Sequence, residues 1–294
     1  MSQLAAKTNA INLGQGFPDT DGPAAIRDIA AAAIVDGPNQ YPPVGGTPDL
    51  RNAIAEHQLR FWGITIDPET EVVATTGATE AIAAALIGLC EVGDDVIVFD
   101  PTYDSYAAGI AMAGARPRPV VLRPDGDQTF NFDETELRAA FTPRTRAILL
   151  NTPHNPTGKV FNAAELELIA SLCIEHDVIA ISDEVYEHLV FEGTHIPIAT
   201  LPGMFERTVT ISSVGKSFSL TGWKIGWATG PAALVTAVRT AKQFLSFATG
   251  APFQPATAAA LRLEDQYFSD FVDDLAAKRV IVGDGLTAAG FDVY

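Results

Sequence analysis

The amino-acid sequence predicts an α/β fold in which helices cover both faces of a mostly parallel sheet. Short, nearly continuous apolar runs indicate strands that are buried on both faces. Segments with helical periodicity separate these runs, and such alternation is typical of a parallel sheet. In these sheets ligands bind at the carboxyl ends of the strands, so the residues that follow each strand are the first candidates for a functional site.

Six apolar runs are the predicted strands of this sheet. In chain order they are Val72–Thr75, Val96–Phe99, Ala147–Leu150, Val178–Ser182, Val209–Ser212 and Ile225–Thr229. Capping patterns mark the starts of several helices. They are Thr47 followed by Pro48, Asp133 with Glu136, and Asn162 with Glu165. A longer helical pattern covers Asp265–Leu286.

The composition argues against several classes of function. The 294 residues are 47% hydrophobic and 19% charged, which permits a sizeable core and excludes global disorder. A formal net charge of −17 argues against a nucleic-acid or membrane partner, because phosphate groups are bound by basic surfaces. No apolar run has the length of a membrane span, and the first residues lack the apolar core of a signal peptide. We therefore expect a soluble, cytoplasmic protein that acts on small molecules.

The cysteines and histidines do not predict a metal site. Cys90 and Cys173 lie in apolar helical contexts and are expected to be buried thiols. His154, His188 and His195 lack the spacing of metal ligands, so we expect structural or solvated roles for them. For His154, which lies beside the strand-end residues, the alternative is a contact with substrate.

Polar and reactive residues follow five of the predicted strands. They are Thr76–Thr79, Asp100–Tyr103, Asn151–Gly158, Asp183–Tyr186 and Ser213–Ser217. The first group begins a helix directly after a strand, where free backbone N–H groups and the helix dipole favour an anion. With Lys216 and Lys224 it predicts a phosphate site, and an ordinary helix cap is the alternative.

Several motifs then identify a family. The stretch from Ser213 to Gly226, SVGKSFSLTGWKIG, resembles the cofactor-lysine segment of fold-type I pyridoxal-phosphate aminotransferases of classes I and II. Asn155–Gly158 and Ser182–Tyr186 resemble two further motifs of that family in the same order, and 11–18 and 39–43 resemble its N-terminal segments. The resemblance covers essentially the whole chain. It is closest to N-succinyldiaminopimelate aminotransferases and to kynurenine/glutamine-type aminotransferases.

The resemblance implies pyridoxal 5'-phosphate as the cofactor and a role for each matching residue. Lys216 would form the imine with the cofactor aldehyde and then act as the base. Asp183 would pair with the protonated pyridine nitrogen, which keeps the ring an electron sink. Asn155 and Tyr186 would hydrogen-bond the ring oxygen, and Tyr103 would stack on the ring. Tyr106, three residues further on, is expected to pack within the fold instead.

The remaining predicted contacts concern the phosphate and the substrate. The resemblance assigns the phosphate to Ala78, Thr79, Ser213 and Lys224. Tyr41 would reach the phosphate of a neighbouring subunit, which implies a homodimer with shared active sites. Gly16 and Asn155 would bind the substrate. Phe17 is a candidate contact for an aromatic substrate, and packing within the fold is the alternative.

The expected reaction is amino-group transfer from an amino acid to a 2-oxo acid, with glutamate and 2-oxoglutarate as one pair. A carbon–sulfur β-lyase and a cofactor-binding form without turnover are the alternatives. The expected organisation is an N-terminal segment (1–38), a large cofactor-binding domain (39–284) and the start of a truncated C-terminal small domain (285–294). The resemblance implies that family members extend about a hundred residues further than this sequence. That extension contains an arginine that binds the substrate carboxylate.

Overall fold

A computed structural model describes residues 2–12, 16, 18, 20–125 and 129–293. The helices are α1 (Ser2–Thr8), α2 (Ala24–Asp36), α3 (Pro48–Trp62), α4 (Gly77–Leu89), α5 (Asp104–Met112), α6 (Glu134–Ala140), α7 (Ala163–Glu175), α8 (Val214–Ser217), α9 (Ala232–Leu245), α10 (Phe253–Leu261) and α11 (Asp265–Ala288). The strands are β1 (Val72–Thr75), β2 (Asp95–Asp100), β3 (Arg116–Val121), β4 (Arg123–Pro124), β5 (Phe130–Asn131), β6 (Thr145–Asn151), β7 (Ile179–Asp183), β8 (Thr208–Ser213) and β9 (Gly226–Thr229).

A mostly parallel sheet forms the centre of the molecule, as predicted. Within the described residues it has seven strands in the order β1-β9-β8-β7-β6-β2-β3. Strand β9 is antiparallel to both of its neighbours, with Gly226 opposite Thr75 of β1 and Ser213 of β8. The start of β9 therefore lies at the same edge of the sheet as the ends of β1 and β8. That edge brings together chain segments that are far apart in sequence.

Helices pack on both faces of the sheet, which explains the continuous apolar runs. Val96 and Val98 of β2 belong to a core cluster that includes residues of α4, α5 and α9. The alternate residues Ile97 and Phe99 belong to a second cluster, formed with α6 and α7. Because successive side chains of a strand point to opposite faces, a strand covered on both sides needs an apolar residue at every position.

The six predicted strands are present, and β3 is an addition to them. Its sequence contains Pro117 and Pro119, which suggest a loop. Among the described residues β3 pairs only with β2, so it is an edge strand. Proline is tolerated at an edge because its missing N–H removes no hydrogen bond on the open side.

Two of the three predicted helix starts have the expected geometry. Thr47 caps α3, and the Asn162–Glu165 pair forms both hydrogen bonds of a capping box. The predicted capping box of α6 is only half formed. Asp133 accepts a hydrogen bond from the backbone N–H of Glu136, but the Glu136 side chain does not accept one from the backbone N–H of Asp133. It accepts instead from Val121 N–H and from Arg123, which draw it toward β3 and β4.

The remaining features concern the cysteines and the long last helix. Cys90 and Cys173 are buried free thiols, as expected. Helix α11 continues across position 284, where the predicted boundary of the large domain lies. In the described part of the chain, no helix is both long enough and apolar enough to span a bilayer.

Candidate functional site

A cavity of about 150 Å³ lies at the edge of the sheet where the parallel strands end. Nine residues that the sequence singled out line it: Ala78, Thr79, Tyr103, Asn155, Asp183, Tyr186, Ser213, Lys216 and Lys224. They lie at or just after the ends of β1, β2, β6, β7 and β8, or just before β9. The expectation that ligands bind at the carboxyl ends of the strands therefore located the cavity.

Lys216 supplies an amine to this cavity. It lies on the short helix α8, whose N-cap Ser213 accepts a hydrogen bond from the N–H of Gly215. Its Nζ is 5.5 Å from the centre of the Tyr186 ring. Burial lowers the pKa of Lys216 from its usual value, and the nearby Asp183 carboxylate partly opposes this. A lysine with a lowered pKa has a larger neutral fraction, and the neutral amine is the nucleophile and the base.

Asp183 supplies a buried carboxylate at the end of β7. It is 4% exposed, and its Oδ2 accepts a hydrogen bond of 2.6 Å from the Tyr106 hydroxyl. Burial raises the pKa of Asp183 to about 6, while the hydrogen bonds from Tyr106 and the Val185 N–H act in the opposite direction. A buried carboxylate in this state is stabilised by a cation, and a protonated heterocycle in the cavity would provide one.

Tyr106 combines packing with a polar contact that the sequence did not predict. It is buried in the core cluster against α4, as its expected packing role requires. Its hydroxyl nevertheless points to Asp183 and fixes one oxygen of that carboxylate. Its ring meets the ring of Tyr103 edge to face, with centroids 5.6 Å apart. Both tyrosines line the cavity, and Tyr106 is also the hydrogen-bond partner of the carboxylate.

The start of α4 forms an anion cradle. Gly77 has a φ of +75°, and a Cβ at this position would lie 3.2 Å from Nζ of Lys224. On the other side, a Cβ on Gly226 would lie 2.6 Å from the carbonyl carbon of Gly77, so only glycine lets β9 approach the helix start. Thr76, the N-cap, makes no side-chain capping bond. The first amides of α4 and one lysine therefore face a common space that suits a phosphate.

Asn151 is a site residue that sequence reasoning did not assign. Its Nδ2 donates to the carbonyl oxygen of Asp183 at 2.8 Å, and its Oδ1 accepts from the N–H of Asn155 at 2.7 Å. It thereby holds the end of β7 and the loop after β6 in fixed relation. The only signal in the sequence was its position as the first polar residue after an apolar run. The Asn155–Pro156 peptide bond is cis.

Two predicted residues lie outside the cavity, and a third lies outside the described residues. Tyr41 is 86% exposed, and its ring contacts Phe247 edge to face. Gly16 lines a neighbouring opening that also contains Lys216 and Tyr186. Phe17, the candidate contact for aromatic substrates, belongs to the residues that are not described.

Of the three histidines named in the sequence analysis, His154 and His195 are buried and His188 is partly buried. Burial lowers the pKa of His154 to about 4 and that of His188 to about 3, so both are neutral at physiological pH. His57, Glu187 and His188 lie close enough together to be considered as metal ligands. Their atoms already bond within the protein, since His57 and His188 pair through Nε2 at 2.7 Å. Both Glu187 oxygens also accept hydrogen bonds.

The amine, carboxylate, aromatic wall and anion cradle of this cavity match the chemistry of pyridoxal phosphate. Residues 8–294 match the family model for aminotransferases of class I and II. The chain belongs to that family. This confirms the resemblance to fold-type I pyridoxal-phosphate aminotransferases and the prediction of an amino-group-transferring enzyme.

Two curated relatives define the similarity further. A probable N-succinyldiaminopimelate aminotransferase, DapC, of Mycobacterium tuberculosis is 53% identical over 295 residues, which cover all of this chain and 74% of the relative. Kynurenine–oxoglutarate transaminase 3 of Mus musculus is 43% identical over 294 residues, covering 95% of this chain and 65% of the relative. This chain thus spans between about two thirds and three quarters of the length of these enzymes.

Solved structures confirm the aspartate aminotransferase-like fold. The N-succinyldiaminopimelate aminotransferase of Mycobacterium tuberculosis superimposes with a TM-score of 0.97, covering 100% of this chain and 77% of that one. A double mutant of Thermus thermophilus aspartate aminotransferase, 33% identical, gives a TM-score of 0.90 over 99% of this chain and 76% of that one.

Proposed function

We propose that this chain binds pyridoxal 5'-phosphate in the cavity and exchanges an amino group between N-succinyldiaminopimelate and 2-oxoglutarate. The observation that carries the proposal is the shared cavity of Lys216, Asp183 and the cradle at the start of α4. The 53% identity to the mycobacterial relative favours the succinylated substrate. Kynurenine is the second candidate, because the mouse relative is 43% identical.

Each wall of the cavity would hold one part of the cofactor. The amides of Ala78 and Thr79, with Ser213 and Lys224, would bind the phosphate. Asp183 would pair with the ring nitrogen, and Tyr103 would stack on the ring. Asn155 and Tyr186 would donate hydrogen bonds to the ring oxygen. When bound, this cofactor supplies an aldehyde carbon that accepts the amino group and a cationic ring that withdraws electrons.

The protein itself would orient the substrate and move its proton. In this proposal Lys216 takes the proton from the substrate Cα. The lowered pKa of Lys216 favours this role, because a larger fraction of the amine is neutral. Gly16 and Asn155 would bind the substrate at the opening that Lys216 and Tyr186 also line. A cation facing Asp183 would favour its charged form, so the bound ring would oppose the effect of burial on the pKa of this carboxylate.

The proposal extends to assembly. Because Tyr41 is exposed and turned away from the cavity of its own chain, we assign it to the phosphate of a second copy in a homodimer with shared sites. The division into segments 1–38, 39–284 and 285–294 and a cytoplasmic location are part of the same proposal. The two free cysteines support that location.

A binding experiment tests the role of Lys216. The protein is incubated with pyridoxal phosphate, reduced with borohydride and digested, and mass spectrometry locates the modified lysine. We expect the adduct on Lys216 and no adduct in Lys216→Ala, with a substitution of the exposed Lys7, Lys7→Ala, as a control that keeps it. An adduct that is unchanged in Lys216→Ala would contradict the assignment.

A screen of donors against acceptors tests the reaction. We expect N-succinyldiaminopimelate with 2-oxoglutarate to yield glutamate faster than kynurenine does. Release of pyruvate and ammonia from a cysteine conjugate without an acceptor would instead identify a β-lyase. Cofactor binding without any half-reaction would identify a form without turnover.

Replacing the carboxylate separates cofactor binding from proton transfer. Asp183→Asn keeps the shape of the side chain and the hydrogen bond from Tyr106 but cannot hold a proton on the ring nitrogen. We expect the variant to bind the cofactor and to lose proton abstraction by a factor of at least about 100. Exchange of the substrate Cα proton in deuterated water measures this step directly, and an unchanged exchange rate would contradict the role of Asp183.

A further inference from the structure

The turn that follows β7 places some of its side chains at the cavity and others in the protein interior. Asp183, Val185 and Tyr186 line the cavity. Glu184 and Glu187 do not line it and are buried, with exposures of 0% and 3%. Two buried carboxylates thus directly follow, in the sequence, the two residues of this turn proposed to contact the cofactor ring.

Glu187 joins three separate parts of the fold. Its Oε1 accepts a hydrogen bond of 2.6 Å from the Ser212 hydroxyl, and its Oε2 accepts one of 2.6 Å from the indole N–H of Trp62. Trp62 is the last residue of α3, and Ser212 lies on β8. Ser212 immediately precedes Ser213 and is four residues before Lys216, so Glu187 links the turn of Tyr186 to the segment of the lysine.

Both groups that donate hydrogen bonds to Glu187 are neutral, and the nearby His195 also lowers the pKa of Glu187. In the described part of the chain, no lysine or arginine forms an ion pair with it. Burial raises the pKa of Glu187 to about 7, and the Ser212 and Trp62 hydrogen bonds oppose this only in part. A polar group is costly to bury, so a fully bonded carboxylate here contributes fixed geometry more than stability.

We infer that Glu187 is a positioning residue: by bridging Trp62 and Ser212 it fixes Tyr186 relative to Ser213 and Lys216. The ring contact and the phosphate contact of the cofactor are then held at a set distance from each other. This inference rests on the proposed function, because it concerns how tightly and in what orientation that cofactor is held.

Glu184 provides a matched control from the same turn. It is equally buried, and its two oxygens also take two hydrogen bonds, from Ser182 and His195. Ser182 belongs to β7 itself, and His195 lies in the loop beyond the turn. Removing Glu184 therefore removes as many side-chain hydrogen bonds as removing Glu187 does, but neither of them ends on β8 or α3. The ring of His195 meets Trp62 edge to face without a hydrogen bond.

The experiment compares Glu187→Ala, Glu187→Gln and Glu184→Ala by their affinity for pyridoxal phosphate and by the visible circular dichroism of the bound cofactor. We expect Glu187→Ala to weaken binding about tenfold and to reduce the dichroic band, and the other two to remain within about threefold of wild type. Glutamine restores both contacts because its amide oxygen accepts from Trp62, while its amide N–H donates to Ser212, whose hydroxyl can also accept. The melting temperatures of the two alanine variants should fall by similar amounts.

The outcomes distinguish the inference from the proposed function. If Glu184→Ala weakens binding as much as Glu187→Ala, or if Glu187→Ala binds like wild type, the inference is wrong. If the wild-type protein does not bind pyridoxal phosphate, the proposed function fails first. Should Glu187→Ala not fold, Trp62→Phe and Ser212→Ala each remove one of the two donors. Each should then reduce the dichroic band, and wild-type spectra in both would overturn the inference.

Discussion

At the scale of single residues, burial sets the acidity of the groups in the cavity. Asp183 and Lys216 would attract each other, yet burial moves both of their pKa values toward the neutral forms. In the cofactor-free cavity the carboxylate therefore takes up a proton more readily than in water, and the lysine ammonium loses its proton more readily than in water. A ligand that is cationic beside Asp183 and carries a carbonyl beside Lys216 would match this state.

The pH dependence of unfolding tests the burial of Asp183. Its pKa is raised from 3.8 to about 6 in the folded protein, so the folded state binds this proton more tightly than the unfolded state. The contribution of Asp183 to the free energy of unfolding is therefore lost as pH rises. As the pH rises from about 5 to about 8, the free energy of unfolding of cofactor-free Asp183→Asn should increase by roughly 1–2 kcal/mol relative to that of the wild type.

Denaturant titrations at several pH values measure this difference. Asp133→Asn is the control, because hydrogen bonds at the start of α6 lower the pKa of Asp133. Its carboxylate stabilises the fold at high pH, and that contribution is lost as pH falls through the folded pKa. A flat difference between Asp183→Asn and wild type over this range would contradict the burial of the carboxylate.

The residues that the sequence could predict are ones that line the cavity. Lys216, Asp183 and Asn155 stand in recognisable motifs directly after strands. Asn151 and Glu187 act through other residues, and their partners lie on other strands and helices. Such pairs depend on how the elements pack, and no spacing along one chain encodes that arrangement.

At the scale of elements, the anion cradle depends on two glycines in neighbouring segments. Gly77→Ala would place a Cβ 3.2 Å from the Lys224 amine in a backbone conformation with a φ of +75°. We expect it to weaken the binding of pyridoxal phosphate about tenfold, while pyridoxal without the phosphate is affected much less. Fluorescence titration with both ligands measures the ratio.

Gly63→Ala is the matched control for this substitution. Gly63 ends α3 with a φ of +68°, and a Cβ there would meet no atom within 4 Å. Both variants should lose about 1 kcal/mol of stability from the backbone strain. Equal loss of phosphate affinity in the two variants would mean that strain, rather than crowding of the cradle, explains the effect.

Elements with a strong apolar pattern were predictable, and those with mixed signals were not. The central strands are covered on both faces, so every residue in them carries the signal. Strand β3 carries two arginines and two prolines because its edge is open, which removes the apolar pattern. For α6, Glu136 has the spacing of a capping box, but Arg123 and the Val121 N–H compete for its carboxylate.

At the scale of the whole molecule, an exposed aromatic face marks the proposed subunit interface. Tyr41 and Phe244 are 86% and 83% exposed, and Phe247 contacts Tyr41. Lys242, fully buried below them, donates to the carbonyl oxygens of Val44 and Phe247 and so joins the two loops of this face. A rigid apolar patch of this kind is typical of surfaces that bind another protein.

Mixing two inactive variants tests whether sites are shared. In the proposed dimer each site draws Lys216 from one subunit and Tyr41 from the other. Lys216→Ala and Tyr41→Ala should each be impaired, and refolding them together should restore activity in about a quarter of the sites. No recovery in a mixture that forms dimers by light scattering would contradict shared sites.

The reversed direction of β9 has a practical consequence for engineering the protein. The residues that line the cavity lie at one rim of the sheet, where β9 begins and its parallel neighbours end. The opposite rim is left to short connections such as the turn at Gly93, where an added Cβ would meet no atom within 4 Å. A fluorescent protein or an affinity tag inserted at this turn should leave the rim that contains the cavity unchanged.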